Sequence, residues 1–385
     1  MLTIYTNTYV YSLTASGTNL FAGTTDAGVF LSTNNGVSWT AVNSGLTNLD
    51  IYSLVVSGTN LFAGTFGGGV FLSTNNGTNW TAVNSGLTST NVYSLTASGT
   101  NLFAGTTNAG VFLSTNNGTN WTAVNSGLTT INVISSLAVS GTNLFAGTYG
   151  AGVFLSTNNG SNWNAVNTGL DSTFIYSLAV SGTNLFAGTN GVVFLSTNNG
   201  SNWNAVNLGL TNTGVYSFAV SGTNLFAGTN CISSPASSGG GVFLSTNNGN
   251  NWTAVNLGLT NTDVYSLAVC GTNLFAGTNG GGVFESALMD LTGENEARDE
   301  IFQVNIYPNP FSDNFNLQLE LNNNEKVQIE LYNSMGQKIE SIENGVLQQG
   351  KYSYNNAAVN VSSGIYLIRT IVGDKADSKT VIKLN

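Results

Sequence analysis

Short runs of alternating hydrophobic and polar positions, broken by Gly, Asn and Ser, fill most of the chain. One unit shows the pattern. Ile51-Tyr52-Ser53-Leu54-Val55-Val56 is a β-branched and aromatic run, and Ser57-Gly58-Thr59-Asn60 is a turn. Leu61-Phe62-Ala63-Gly64-Thr65 reads as a second strand and Phe66-Gly67-Gly68-Gly69 as a loop. Val70-Phe71-Leu72-Ser73 reads as a third strand, Thr74-Asn75-Asn76-Gly77 as a tight turn and Trp80-Thr81-Ala82-Val83 as a fourth strand. Each run is short, rich in strand formers and bounded by turn residues. No segment has a helical period.

The unit repeats. Gly-Thr-Asn-Leu-Phe-Ala-Gly-Thr occurs seven times, with Phe at 21, 62, 103, 145, 186, 226 and 275. Ser-Thr-Asn-Asn-Gly-x-x-Trp occurs six times, with Trp at 39, 80, 121, 163, 203 and 252. The Trp spacings are 41, 41, 42, 40 and 49, the last enlarged by an insertion around Cys231–Ser238. Four strands in about 40–45 residues is the period of a propeller blade. The expected fold is all-β: a seven-bladed β-propeller of four-stranded blades over residues 1–288, a linker over 289–302 and a small antiparallel β-sandwich over 303–385. The seventh unit, Val264–Ser286, has neither the Asn-Asn-Gly turn nor the Trp, so it lacks a fourth strand. Met1–Ile4 is expected to complete it beside Val283–Ser286, hiding a sheet edge. In this register the chain begins inside a strand, which predicts a longer precursor.

Composition narrows the function. Charged residues are 7% of the chain, against about 25% in a usual soluble domain. There is no His, and every Lys and Arg lies at or after Arg298. The repeats therefore have no cation with which to neutralise phosphates, so no nucleic-acid partner is expected. An Arg clamp on a carboxylate or sulfate is excluded as well. No stretch reaches the roughly 18 apolar residues of a membrane helix, and the first residues do not form a signal peptide. Cys231 and Cys270 fall on opposite faces of the expected ring, so no disulfide joins them.

The Ser32-Thr33-Asn34-Asn35-Gly36-Val37-Ser38-Trp39 segment and its five later copies resemble the Asp-box, or bacterial neuraminidase repeat, which reads Ser-x-Asp-x-Gly-x-x-Trp. Here Asn stands at the Asp position in every copy: 34, 75, 116, 158, 198 and 247. Asn keeps the turn role, since it also bonds the backbone two residues on and tolerates left-handed geometry. Gly supplies the positive φ, and Trp is expected between blades. Sialidases share this repeat but hold the substrate carboxylate with three arginines, which this propeller lacks. Other Asp-box propellers are xyloglucan-active glucanases and photosystem assembly factors, so the repeat does not choose a function.

Residues after 303 carry a second set of motifs: Tyr307-Pro308-Asn309-Pro310, then Leu331-Tyr332-Asn333 with Gly336, then Gly364-Ile365-Tyr366, and a last strand ending at Lys383. In this order they resemble the C-terminal sorting domain of type IX secretion cargo in Bacteroidota. The resemblance implies export by the type IX machinery and a secreted or outer-membrane surface location.

A binding site is expected on the face where copies differ, since loops on a rigid scaffold carry function. That face holds the second-to-third-strand loops, with Asp26, Phe66, Asn108, Tyr149 and Asn190. It also holds the blade-to-blade crossings, with Asp50, Asn91, Phe174, Gly214 and Asp263. Asp26, Asp50, Asp171 and Asp263 are the only charges in residues 1–284. Asp26, Asp50 and Asp263 belong to neighbouring blades and could bind Ca²⁺ or serve as a two-carboxylate glycosidase pair; as solvated turn residues they need no site. Phe66, Tyr149, Phe174 and Asn190 suit stacking and hydrogen bonding to an uncharged glycan. The expected protein is a monomeric binding module for a glycan or a surface protein. A glycoside hydrolase and an inert surface spacer are the alternatives.

Overall fold

The computed structural model describes residues 9–210, 213–231, 240–256, 258–288, 291, 302–333, 337–357, 361–373 and 375–384. The chain divides into two compact units, Met1–Gly293 and Glu294–Asn385. The first is a seven-bladed β-propeller. Among the described residues, six blades are four-stranded antiparallel sheets in sequential order and the seventh shows three strands. Blade two is Ile51–Ser57, Asn60–Thr65, Gly69–Ser73 and Thr81–Ala82. Blade seven is Val264–Cys270, Asn273–Thr278 and Val283–Ala287. The first strands touch their neighbours all the way round, including Val10–Ser16 against Val264–Cys270. Ser266 Oγ donates to Val10 O at 2.8 Å across that closing seam. The expected closure by Met1–Ile4, the linker and the Cys231–Ser238 insertion lie outside the described residues, apart from Leu291, Phe302, which opens a strand, and the backbone of Cys231. The Cys231 side chain is likewise outside them, and Cys270 is a buried free thiol.

The fourth strand is shorter than the sequence pattern predicts. Only Thr81 and Ala82 pair with the third strand, opposite Leu72 and Phe71. The reason is that Trp80 N donates to Ser44 O of the preceding crossing at 2.8 Å. Trp80 Nε1 also donates to Val42 O of the previous blade at 2.7 Å. The ring is buried there with Leu61, Ala63 and Phe71. Trp121, Trp163, Trp203 and Trp252 make the same indole bond across their seams. A buried indole that satisfies its N–H joins two blades with both packing and a hydrogen bond. The close approach needs Gly45, where an added Cβ would lie 2.2 Å from Trp80 O.

The Asn-Asn-Gly turn differs from expectation in its bonding. Asn75 Oδ1 accepts from the amide of Asn79, four residues on, at 2.9 Å. It also accepts from Ser73 Oγ at 2.9 Å, and Ser73 Oγ accepts from Gly77 N at 2.8 Å. The left-handed residues are Asn76 and Gly77, with φ 55° and 81°. Asn75 is thus the acceptor of a wider turn rather than its left-handed residue.

The second unit packs a three-stranded sheet with a four-stranded sheet. Phe302–Tyr307, Asn314–Leu321 and Gly350–Ala357 form the first. Lys338–Leu347, Glu325–Asn333, Gly364–Val372 and Lys375–Lys383 form the second. Strict alternation places Phe315, Leu317, Leu319 and Leu321 in its core with Val327, Ile329, Leu331 and Ile368. Three of these strands, Asn314–Leu321, Lys338–Leu347 and Gly350–Ala357, have polar residues at alternate positions and were not among the sequence-predicted strands.

Candidate functional site

Six of the seven first strands carry Tyr in their second repeat position: Tyr11, Tyr52, Tyr93, Tyr176, Tyr216 and Tyr265. Blade four has Ser135 instead. In blade two, Ile51 pairs with Thr65 and Ser53 with Gly64, which leaves Tyr52 as an extra residue. The same slip occurs at Val10/Ser12, Gly105/Thr106, Val215/Ser217 and Val264/Ser266. A β-bulge of this kind leaves one residue unpaired and re-aims its side chain. Ile51 and Leu54 are therefore both buried, although simple alternation puts them on opposite faces.

The re-aimed rings meet one another from blade to blade. Tyr11 stacks on Tyr52 with centroids 4.7 Å apart and planes 12° apart. Tyr176 stacks on Tyr216 at 4.8 Å. Edge contacts join Tyr52 to Tyr93, Tyr216 to Tyr265 and Tyr265 to Tyr11 at 5.0–5.1 Å. The first strands are the innermost of each blade, so the rings form an arc around the channel mouth. The arc opens at blade four. There Ser135 Oγ is tied to Ile175 O at 2.5 Å and Gly147 O at 3.1 Å.

The sequence-predicted aromatics extend this arc outward. Phe66 lies 5.6 Å from Tyr52 and 6.0 Å from Tyr93. Tyr149 lies 5.5 Å from Phe174 and 5.3 Å from Tyr176. Phe66, Tyr149 and Phe174 are exposed by 40%, 40% and 48%, so their faces are accessible to a ligand. Isolated bridges join each loop to the next blade: Phe66 with Asn91, Tyr149 with Phe174, and Asn190 with Gly214. The two variable loop sets thus form one rim, and Asn190 is exposed on it.

The carboxylates have different local partners. Asp50 Oδ1 accepts from the amide of Asp26 at 2.9 Å, and Asp26 has φ 62°. Asp50 is thus a turn-holding acceptor. The Asp263 amide donates to Asn261 Oδ1 at 3.0 Å, and Asp263 sits by Tyr265 and Tyr216. Among the described residues no three His, Cys, Asp or Glu side chains form a group able to hold a metal ion. Asp171 is exposed.

Burial raises the hydroxyl pKa values of Tyr11, Tyr52 and Tyr265 above the usual phenol range, and that of Tyr216 to about 12. Neighbouring tyrosines and the carboxylates of Asp50, Asp26 and Asp263 add to the effect at Tyr52, Tyr216 and Tyr265. The mouth therefore presents neutral O–H groups and aromatic faces at ordinary pH. With no cation in the repeats, it is slightly negative. The tyrosines were missed in the sequence because they barely vary between copies. Their recurrence at one strand position was the available signal.

In the second unit the export motifs lie together. Asn309 Oδ1 accepts from Ile382 N at 2.9 Å. Phe311 N donates to Ile382 O at 2.9 Å, and Phe311 bridges Lys383 in parallel. Tyr307–Pro308 and Asn309–Pro310 are cis. Tyr307 is exposed. Tyr366, two residues after Gly364, is buried and donates to Ser362 O at 2.7 Å.

Comparison with known proteins agrees with both units. Residues 305–384 match the secretion system C-terminal sorting domain. Residues 1–146 match the DUF6242 beta propeller domain. No curated protein matches the chain. Among solved structures, PorZ of Porphyromonas gingivalis, an essential bacterial surface component of the type-IX secretion system, is similar at TM-score 0.57 and 16% identity. The likeness covers 98% of this chain and 59% of PorZ, so this chain spans about three-fifths of that protein. YCF48 from Cyanidioschyzon merolae is similar at TM-score 0.56 and 16% identity, over 73% of this chain and 96% of that one. The GH74 xyloglucanase from Xanthomonas campestris is similar at TM-score 0.58 and 15% identity, over 98% and 67%. At these identities the likeness is one of fold.

Proposed function

We propose that this β-propeller, carrying a type IX sorting domain, is a surface or secreted module that binds an uncharged glycan at its tyrosine-lined mouth. The supporting observation is the arc of inward-aimed tyrosines extended by exposed Phe66, Tyr149 and Phe174. Aromatic faces stack on the apolar faces of sugar rings, and phenol O–H groups exchange hydrogen bonds with sugar hydroxyls. The absence of cations in the repeats disfavours sialic acids, uronic acids and phosphorylated ligands. The sorting domain implies a secreted or outer-membrane surface location and the type IX machinery as export partner.

Hydrolysis is less well supported. A glycosidase pair needs two free carboxyl groups across the bond to be cleaved. Asp50 is engaged on the Asp26 amide, which leaves it less free to act as one of such a pair. A glycan-array screen of the full chain, run with Ca²⁺ and with chelator, tests the reading. Binding to neutral oligosaccharides that is lost in the Tyr52→Ser and Tyr216→Ser variants supports it. Release of shortened product from a hit moves the reading to an enzyme. Failure to bind any glycan in either buffer overturns it in favour of a protein partner or a spacer.

A further inference from the structure

The propeller repeats contain eight Asn-Gly dipeptides. In such a pair the glycine nitrogen can attack the asparagine side-chain amide, because no Cβ crowds it. The fold holds the eight pairs in different ways.

Six lie in the Asn-Asn-Gly turns, at Asn35, Asn76, Asn117, Asn159, Asn199 and Asn248. Each of these asparagines is left-handed, with φ 54–57°. Each following glycine amide is spent on the turn serine, donating to its Oγ at 2.8–2.9 Å. These glycines also lie against the blade. A Cβ on any of them would come within 2.7–2.9 Å of a neighbouring side chain, which is Val42 for Gly77. A seventh pair is tied at its shared peptide group: Asn279 O accepts from Asn261 Nδ2 at 2.5 Å.

The eighth pair, Asn190–Gly191, is held more loosely. It forms the tip of the blade-five mouth loop, and Asn190 is exposed. The Gly191 amide reaches back two residues, to Thr189 O at 3.1 Å. A three-residue turn of this kind bends its hydrogen bond away from the straight geometry that makes one strong. A Cβ on Gly191 would meet nothing within 4 Å, so the pair has room to turn. Asn190 also bridges Gly214. A Cβ on Gly214 would lie 2.8 Å from the Tyr216 ring and 3.6 Å from the Tyr176 ring.

We propose that Asn190 is a site of spontaneous deamidation, by which the channel mouth gains a carboxylate beside the Tyr176–Tyr216 stack. The Gly191 nitrogen gives up its proton and bonds to Asn190 Cγ. The Cγ–Nδ2 bond breaks, and the side-chain nitrogen leaves with that proton as ammonia. The five-membered imide that remains takes up one water, which opens it to aspartate or to its isoaspartyl isomer. Water is the sole co-reactant, so the change proceeds whatever the mouth binds. Either product adds one negative charge, and the repeats carry no Lys or Arg to neutralise it.

The test is peptide mapping of the full chain by mass spectrometry, after the folded protein has stood at mildly alkaline pH in heavy-oxygen water. Only conversion during that period carries the label. Residues 1–297 contain no Lys or Arg, so chymotrypsin replaces trypsin. Asn190 is expected to convert at least about tenfold faster than Asn279 or the turn asparagines, each of which is held by a stronger hydrogen bond. In denaturant the eight pairs should convert at similar rates. Ser73→Ala releases the Gly77 amide, so Asn76 should then convert at least about tenfold faster while Asn159 keeps its rate. Absence of label at Asn190, conversion of Asn279 or the turn asparagines as fast as Asn190, or the same ranking in denaturant overturns the proposal. So does an unchanged Asn76 rate in a Ser73→Ala variant that melts like the parent.

Discussion

The two ends of the propeller are built from the same repeats and use them differently. At the turn end, the side chains are consumed by the backbone. Ser73, Asn75 and Gly77 close one turn on itself, and Trp80 closes a seam. Copies there are nearly identical where Ser, Asn and Gly each hold a fixed bond in the turn. At the mouth end, a bulge frees a tyrosine from the ladder in five of the blades, and the loops beside it differ from copy to copy. Repetition in sequence thus has two origins: backbone demand at the turns, and a recurring surface at the mouth.

Adding a methyl group at a blade seam and at a mouth loop is the sharpest way to break the comparison. Gly86→Ala drives a Cβ to within 2.1 Å of Trp121 O at φ 90°, whereas Gly150→Ala at φ 113° meets nothing within 4 Å. We expect the first to lose more than about 4 kcal/mol of stability in urea melts, combining overpacking with left-handed strain, and the second about 1 kcal/mol. Equal losses would remove the distinction between the ends. Next in size is Trp121→Ala, expected to cost about 3–5 kcal/mol as a buried aromatic truncation. Trp39→Ala, at the half-buried seam, is expected to cost less than half of that, and calorimetry of the two variants checks the order.

How much of this was legible in the sequence follows from the same division. The turn residues and Trp spacings give blade number and strand order directly, because Asn, Gly and Trp are placed by local geometry. The bulge is not legible. Ile51-Tyr52-Ser53-Leu54 reads as an ordinary strand-forming run, and only the pairing of Ser53 with Gly64 shows that Tyr52 is out of register. The tyrosine arc was therefore hidden although its residues recur in plain view. Phe66, Tyr149 and Phe174 were found because they differ between copies. The outward pairing of Asp50 with Asp26 depends on a distance between loops that no spacing encodes.

Titration gives a subtler contrast. The Tyr11, Tyr52, Tyr216 and Tyr265 hydroxyls have raised pKa values, so they favour folding fully below the unfolded phenol pKa near 10. That contribution is lost as pH rises through their folded values, about 12 for Tyr216. Replacing Tyr216 with Phe should flatten the alkaline fall in melting temperature. In the sorting domain the sign reverses. Glu330 is held down to about 2 by bonds from Tyr332 and Lys338. Its contribution is present above the usual Glu value and lost as pH falls toward about 2. Glu330→Gln should therefore reduce the acid sensitivity of that domain, seen by circular dichroism between these limits. The smallest effect is expected from Asn75→Asp, which keeps the turn acceptor. A melting shift larger than that of about 0.5 kcal/mol would show that the amide N–H₂ matters there.

The most direct test of the mouth is a neutral-oligosaccharide titration followed through tyrosine ultraviolet absorption, using an array hit and the full chain. Binding should perturb the tyrosine spectrum and weaken at least about tenfold in Tyr52→Ser or Tyr216→Ser, while Asn75→Asp leaves it unchanged. An unperturbed spectrum, with affinity indifferent to both tyrosines, would contradict the assignment of the channel mouth as the binding site.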